Sequence, residues 1–395
     1  MLRKAFMLPE PPVTPAASDP VALLARLVAL DSVNPDLVPG GAGESAIADF
    51  CGEWLAGRGF EVHRVEERPG RPSVVGVARG TGGGRSLMLN GHLDTVGLAG
   101  YDGDPLDPRV HDGRMFGRGT FDMKGGVAAM MVAAARATAS GSLRGDVIVA
   151  CVADEEHASF GTEEVLKSFT ADAAIVTEPS HLELTLAHKG FAWFDVEIEG
   201  RAAHGSRPEL GIDAIVKAGH FLVALEDLGR RLAQGPGHPL LGNGTVHASV
   251  IRGGEEASTY PAYCRVTLER RTVPGESADS VERELIGVLD RLTDTVADFR
   301  YRLIRGLYRE PFEADPQSLI VRTLSRHAEK ALGRPPVIRG EAFWTDCALL
   351  DRAGIPCLLI GVDGAGAHAA TEYVDLASLH RLTGILADTV ADFCA

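Results

Sequence analysis

Imidazole and carboxylate side chains follow several apolar segments of this chain. The segment LMLNGHLDTV (87–96) carries large apolar residues and turns abruptly polar at His92 and Asp94. The segments DVIVACVADEE, AAIVTEP and PCLLIGVDG also lead from apolar to acidic or imidazole residues, and GRGTFDMKGG places an aspartate at a predicted helix start. Such side chains are ligands for hard or borderline cations. The residues concerned are His92, Asp94, Asp122, Asp154, Glu155, Glu156, Glu178 and His368.

These strand ends predict a metal centre. In an open α/β sheet the ligand crevice lies outside the carboxyl ends of the strands, so residues distant in sequence converge there. Imidazole and carboxylate without thiolate suit Zn²⁺, Mn²⁺ or Co²⁺, and such a set can hold two ions if one carboxylate bridges them. A pair of ions can activate one water while polarising a carbonyl.

The doublet Glu155-Glu156 allows a division of roles. Neighbouring side chains of an extended chain point to opposite sides, so one glutamate can bind metal while the other acts as general base. A single His-x-Asp is more often a solvated turn, and the pairs Glu66-Glu67, Glu163-Glu164 and Glu255-Glu256 are interpreted as surface. The order of the segments, and not any one of them, favours the metal centre.

The elements that must position these residues form an α/β structure. The segments SLMLNGHLD, DVIVACVADEE, AAIVTEP and PCLLIGVDG are short continuous apolar runs, typical of strands buried on both faces of a largely parallel sheet. Helical periodicity is predicted from Glu44, after Asp122 and from Ser318.

The pattern changes between Gly190 and about Tyr301. FDVEIEG and CRVTLER alternate apolar with polar residues, as strands with one solvated face do, and two long amphipathic helices are predicted beside them. Buried-strand patterning resumes only near the C-terminus. The sequence therefore predicts a discontinuous first domain, 1–189 and 303–395, with an α+β domain, 190–302, inserted into it; two domains are also the expectation for 395 residues.

Charge and cysteine usage exclude some functions. A formal net charge of −15 disfavours nucleic acid and anionic membranes as partners and favours cations. The six cysteines are dispersed without a C-x-x-C pair, which fits a reducing cytoplasm and no disulfide framework. The N-terminal MLRKAFMLPEPP has no apolar region of signal-peptide length, and no segment is long enough to span a membrane.

The motifs GHLDTV, GRGTFDMKGG, DEE, TEP and AHAATEYV, in this order, closely resemble the M20 family of metallopeptidases, from about Ala22 onward. That family includes acetylornithine deacetylase, succinyl-diaminopimelate desuccinylase, aminoacylase and glutamate carboxypeptidase. The resemblance implies a zinc-peptidase-like catalytic domain with a mostly parallel central sheet. It also implies that the inserted domain is a ferredoxin-like lid through which a homodimer forms.

The resemblance implies a ligand set for two divalent ions, with zinc first and cobalt or manganese as alternatives. His92 and Glu178 resemble the ligands of one metal, and Glu156 and His368 those of the other. Asp122 resembles the carboxylate that bridges both.

The family also implies roles beside the metals. Glu155 resembles the general base, and Asp94 the carboxylate that orients His92 through its other ring nitrogen. The peptide bond after the bridging aspartate, Asp122-Met123, is expected to be cis.

In the predicted lid, GRAAHGSRPELGIDAI resembles the stretch whose histidine, here His204, reaches the partner subunit's active site and helps hold the oxyanion. Arg271 in ERRTVPGE resembles a clamp on the substrate carboxylate, with Arg270 as its near competitor. Ser258 stands where many family members carry Asn, which departs from the acetylornithine and diaminopimelate pattern. Cys347 has no assigned role.

We expect this chain to hydrolyse the amide bond of an N-acyl amino acid, as acetylornithine deacetylase does. A dipeptidase or carboxypeptidase, or a succinyl-diaminopimelate desuccinylase, is the alternative with the same metal site, since pocket shape decides between them. A non-catalytic metal-binding scaffold predicts a missing ligand or base, and none is missing. A two-metal phosphoesterase is disfavoured by the acidic charge.

Overall fold

The computed structural model of the protein describes residues 19–139 and 141–395. The expectation that MLRKAFMLPEPP is no signal peptide lies outside the described residues. The described residues divide into two compact units, one containing those up to 182 together with 326–335 and 360–395, the other containing 183–325 and 336–359. These bounds differ from 1–189, 190–302 and 303–395, a division that stays a prediction.

The α-helices of the described residues include the five that the apolar periodicity predicts and four that were not predicted. They are α1 (Pro20–Val28), α2 (Ser45–Ala56), α3 (Gly125–Thr138), α4 (Phe160–Leu166), α5 (Ala214–Gln234), α6 (Ala278–Thr295), α7 (Leu319–Leu332), α8 (Cys347–Arg352) and α9 (Leu376–Phe393). Among residues 19–139 and 141–395, none of these helices is both long and apolar enough to cross a membrane.

The strands include every segment for which the sequence predicts one. They are β1 (Glu61–Val65), β2 (Ser73–Ala78), β3 (Leu87–His92), β4 (Arg109–His111), β5 (Arg114–Phe116), β6 (Val147–Val152), β7 (Ala173–Val176), β8 (Leu184–His188), β9 (Gly190–Glu199), β10 (Thr245–Gly253), β11 (Tyr263–Thr272), β12 (Arg300–Arg309), β13 (Phe312–Glu313), β14 (Ile338–Glu341), β15 (Cys357–Leu359), β16 (Gly364–Ala365) and β17 (Tyr373–Asp375).

The first unit is built on strands in the order β1-β2-β6-β3-β7. The inner pairs, β3 with β6 and β3 with β7, are parallel, and the outer pairs are antiparallel. All residues of β3, β6 and β7 are buried, which explains their continuous apolar runs. Because β3, β6 and β7 run in the same direction, their carboxyl ends and the polar residues that follow them meet at one edge.

Helix α3 packs closely against the end of β7 at its first turn. The helix packs on β3 and β6 and also contacts α1 and α9. A Cβ atom at Gly126 would lie 2.0 Å from the carbonyl oxygen of Thr177, so only glycine lets the helix approach the end of β7 this closely.

A small sheet in the first unit, in the order β16-β17-β5-β4, joins two loops. Antiparallel pairing of β5 with β17 sets Phe116 opposite Tyr373. The segment after β5 leads to Asp122, and the segment before β17 contains His368. This pairing therefore brings together two parts of the chain that are distant in sequence.

The second unit contains an antiparallel sheet in the order β10-β11-β9-β12. Buried residues alternate with partly or fully exposed ones along most of β9 and all of β11, as the sequence predicts. Helices α5 and α6 contribute Phe221 and Leu285 to the core beneath this sheet and begin at the capping residues Asp213 and Ser277. In the same unit β8 pairs with β13, β14 and β15.

Candidate metal centre

One group of possible metal ligands lies at the ends of β3 and β7. His92 is the last residue of β3, and its Nε2 lies 3.3 Å from Asp122 Oδ1 and 3.4 Å from Glu178 Oε1. The backbone of Thr177 is bonded to that of Asn90, so Glu178 is held next to the end of β3. His92 and Glu178 are buried, and the three ligand atoms lie close enough to hold one ion.

A second group shares Asp122 with the first. Its members are Asp122, Glu156 and His368. His368 Nε2 lies 3.4 Å from Asp122 Oδ2 and 3.0 Å from Glu156 Oε2. Because Oδ1 of Asp122 faces the first group and Oδ2 faces the second, this carboxylate can bridge two ions.

Glu155 belongs to neither group. Its Oε2 lies 3.9 Å from His92 Nε2, and its side chain is 11% exposed. Glu156, by contrast, directs its Oε2 to His368. The neighbouring glutamates thus differ in environment, one within a ligand group and the other beside it. They lie in a hydrogen-bonded turn after β6 and not in the extended segment expected from the sequence.

Asp94 contacts the centre in a different way from the predicted one. His92 Nδ1 lies 2.9 Å from the backbone carbonyl of Asp94 and 3.6 Å from its carboxylate, so the carbonyl is the acceptor. The carboxylate instead accepts the backbone N–H groups of Glu155 and Glu156, both at 3.2 Å, and the Asn34 side-chain amide at 2.8 Å. The Asp94 carboxylate is thus bonded to the backbone after β6 and not to the His92 ring.

The electrostatics of the centre favour bound cations. Burial and nearby Asp122 raise the pKa of Glu156 to about 7. Hydrogen bonds to Asp122 and Glu156 raise the pKa of His368 to about 10. Burial lowers the pKa of His92, but Glu178 and Asp122 outweigh it and raise that pKa well above its usual value. Protons therefore occupy these groups unless another cation replaces them.

The residues present fit a pair of divalent ions. Glu156 Oε1 is buried and has no hydrogen-bond partner among the described residues, although a buried carboxylate oxygen requires one. Imidazole nitrogen and carboxylate oxygen form a donor set suited to Zn²⁺, Co²⁺ or Mn²⁺. A metal ion would supply the missing partner of Glu156.

A third group of possible metal ligands is already paired with an arginine side chain. Asp36, Asp154 and His157 lie close together. Arg71 donates to Asp36 at 2.6 Å and to Asp154 at 3.0 Å, so its guanidinium supplies the positive charge there.

Two residues that support the centre were missed by the sequence reasoning. Asn34 lies between Asp94 and Asp154, donating to both from its side-chain amide. Glu372 accepts the backbone N–H of Asp122 at 3.0 Å. Glu372 stands in the AHAATEYV segment with His368, so its place in that motif was a usable signal. Asn34 gave none, since it lies outside every motif that carries the family resemblance.

His204 and Arg271 belong to the second unit. His204 is exposed, and its Nδ1 lies 2.9 Å from Ser206 Oγ. Its neighbour Gly205 donates a backbone hydrogen bond to Ser258, the residue that stands where many family members carry Asn.

The two arginines of ERRTVPGE differ in environment. Arg271 is half-buried, with Nε donating to Glu269 at 2.7 Å and its guanidinium over the Phe191 ring. Arg270 is buried and paired with Glu276 and Glu284. Arg270 is therefore the poorer candidate for binding a substrate. Cys347 is buried at the start of α8.

The Asp122-Met123 peptide bond is cis, as expected from the motif resemblance. A family model described as peptidase family M20/M25/M40 matches residues 88–392, a range that contains both ligand groups. The chain belongs to this peptidase family. The predicted M20 membership is thereby confirmed.

Relatives within the M20/M25/M40 family act on different amides according to their names. The chain is 31% identical to an acetylornithine deacetylase of Myxococcus xanthus, covering 94% of this chain and 97% of that relative. It is 29% identical to an N-formyl-4-amino-5-aminomethyl-2-methylpyrimidine deformylase of Bacillus subtilis (strain 168), covering 87% and 88% of the two chains.

A solved structure has the same fold. The crystal structure of a dinuclear metal binding peptidase of the M20 family from Bacillus subtilis superposes with a TM-score of 0.74 at 15% identity, covering 95% of this chain and 97% of that one. The predicted α/β fold with a largely parallel central sheet is confirmed.

Proposed function

We propose that this M20/M25/M40 protein is a dinuclear metal-dependent hydrolase that cleaves the amide bond of an N-acyl amino acid. One observation carries the proposal. Asp122 offers one carboxylate oxygen to each of two ligand groups, and Glu155 lies beside those groups without belonging to either. The arrangement separates metal binding from proton transfer.

We assign His92, Asp122 and Glu178 to one ion, and Asp122, Glu156 and His368 to the other. The ions would supply Lewis acidity that acidifies a water and polarises the scissile carbonyl. Zinc is the first choice, and cobalt or manganese fits the same donor set.

Glu155 is the proposed general base. Its carboxylate accepts a proton from the attacking water while the oxygen of that water bonds to the amide carbon. The same group then passes the proton to the amine nitrogen as the carbon–nitrogen bond breaks, releasing a carboxylic acid and an amino acid. The 11% exposure of its side chain leaves Glu155 within reach of substrate and largely shielded from solvent.

Residues 190–302 are the proposed lid and dimerisation domain, inserted between 1–189 and 303–395. His204, exposed on this part of the chain, would donate a hydrogen bond to the developing oxyanion in the partner subunit of a homodimer. Arg271 would bind the substrate carboxylate, because its planar guanidinium matches a carboxylate with two hydrogen bonds. Its half-buried position over Phe191 supports that role.

The proposed substrate is acetylornithine or a related N-acyl amino acid. The extent of the likeness to the Myxococcus xanthus deacetylase supports it. The likeness to the deformylase supports a second candidate, an N-formylated aminomethylpyrimidine. Dipeptides and N-succinyl-diaminopimelate are further alternatives for the same centre.

We also propose that the enzyme works in the cytoplasm. All six cysteines are unpaired and buried in the structure, which suits a reducing compartment.

A substrate panel tests the proposed function. The chelated protein would be supplied with Zn²⁺, Co²⁺ or Mn²⁺ and offered N-acetyl, N-succinyl and N-formyl amino acids, an N-formyl aminomethylpyrimidine and simple dipeptides. Metal-restored release of acetate from N-acetylornithine is the expected result. If only dipeptides or only the formylpyrimidine are cleaved, the proposed substrate is wrong and the proposed metal centre stands. If no compound is cleaved in a metal-dependent way, the proposal is contradicted.

A further inference from the structure

Glu372 is a buried carboxylate that binds the turn carrying Asp122. It is 1% exposed. Its Oε1 accepts the backbone N–H groups of Phe121 and Asp122, both at 3.0 Å. Its Oε2 accepts the N–H of Gly119 at 2.9 Å and the Arg118 guanidinium at 2.9 Å. Four donors fill the acceptor capacity of one carboxylate.

The turn is shaped to bind this carboxylate. Gly119 has a φ of 78°, the left-handed conformation that glycine adopts readily, and a Cβ atom there would lie 2.8 Å from Thr95 Cγ2. The backbone N–H groups of Gly119, Phe121 and Asp122 converge on one point, an arrangement that binds an anion. In this protein the anion is the side chain of Glu372.

Arg118 connects the same carboxylate to the loop that carries His368. Its Nη1 donates to Glu372, and its Nη2 donates to the carbonyl of Ala369 at 3.0 Å. Arg118 is itself buried, with 3% exposure. Together Arg118 and Glu372 join the segments 118–122 and 368–372, which are separated by about 250 positions in the chain.

We propose that Glu372 is a positioning residue that, together with Arg118, sets the distance between Asp122 and His368 and thereby the affinity of the second ligand group for its ion. The inference rests on the proposed dinuclear centre. Two of the three ligands in the second group, Asp122 and His368, stand on the joined segments. In the first group only Asp122 stands on a joined segment, because His92 and Glu178 are positioned by the ends of β3 and β7.

The test is calorimetric titration of the metal-free protein with Zn²⁺, which requires no turnover. In E372Q the NH₂ group of the new amide would face N–H donors that the carboxylate had accepted. We therefore expect the second ion to bind about 10- to 100-fold more weakly, while the first ion binds nearly as before. H368A, which lacks a ligand of the second group only, identifies the binding event that belongs to that group.

T371V is the matched control. Thr371 precedes Glu372 in the chain, and its hydroxyl donates to Asp102 at 3.0 Å, away from the Asp122 turn. We expect T371V to bind both ions as the unmodified protein does. R118K keeps the positive charge but cannot reach both Glu372 and the carbonyl of Ala369. We expect it to weaken binding of the second ion less than E372Q does. R118K also provides the test if E372Q does not fold.

Unchanged binding of both ions in E372Q or R118K would overturn the inference and leave the proposed function standing. An equal loss of affinity for both ions, with a lower thermal midpoint of the metal-free protein, would also overturn the inference, because Glu372 would then act on stability alone. Failure of the unmodified protein to bind two ions would instead contradict the proposed dinuclear centre.

Discussion

The Oδ1 atom of Asp94 lies 3.2 Å from the backbone nitrogen of Glu155 and accepts its hydrogen bond. The other oxygen, Oδ2, accepts from the backbone of Glu156 at the same distance. Asp94 is fully buried, so both bonds are shielded from water. One carboxylate at the end of β3 therefore fixes the backbone of the proposed base and of the ligand beside it.

Replacing Asp94 by Asn should disturb both glutamates. Each oxygen of Asp94 accepts an N–H group, so the new amide nitrogen would face an N–H donor in either orientation. We expect kcat/KM to fall about 10- to 100-fold and the second ion to bind more weakly. D19N is the control, since Asp19 also accepts a backbone N–H, but at the exposed start of α1. Equal kinetics for D94N and the unmodified enzyme would remove the proposed role.

Substitution of Glu155 should affect turnover, whereas substitution of Glu156 should affect metal content. We expect E155Q to lower kcat about 10²- to 10⁴-fold, because a general base is lost, while both ions stay bound. E156Q should bind one ion more weakly or not at all, since Glu156 Oε2 lies 3.0 Å from His368 Nε2 in the second group. Metal analysis beside steady-state kinetics checks both. Loss of ions in E155Q with retention in E156Q would show that the two roles are exchanged.

Metal affinity should rise with pH. Because the pKa of Glu156 is raised to about 7 and that of His368 to about 10, both groups bind protons near neutral pH that an ion must displace. Each displaced proton makes affinity about tenfold higher per pH unit below the corresponding pKa. Competition with a chelator between pH 6 and pH 9 measures this. An affinity that falls with rising pH would contradict the assigned ligands.

His204 should affect turnover more than substrate binding. If it donates to the oxyanion, H204A should lower kcat about 10²- to 10³-fold with a small change in KM. His220, exposed on α5 in the same unit, provides the control variant H220A. Light scattering on the active enzyme supplies the second readout. A fully active monomer would exclude a role for His204 across a subunit interface.

The residues of the two possible ligand groups were easier to predict from the sequence than the contacts that hold them in place. His92 and Glu178 follow buried strands whose apolar runs are visible in the sequence, and parallel pairing brings such ends together. The predicted partner of His92 was the Asp94 carboxylate, whereas the ring bonds to the backbone carbonyl of the same residue, a choice that depends on local backbone geometry. Glu372 binds a turn about 250 positions away, a pairing that no periodicity encodes.

The most direct test of the dinuclear centre is a titration of the metal-free protein with Zn²⁺ or Co²⁺ while hydrolysis of N-acetylornithine is followed. The shared carboxylate of Asp122 predicts that activity rises until two ions are bound per chain and then stays constant. Full activity with one bound ion, or activity that survives complete removal of metal, would contradict this account.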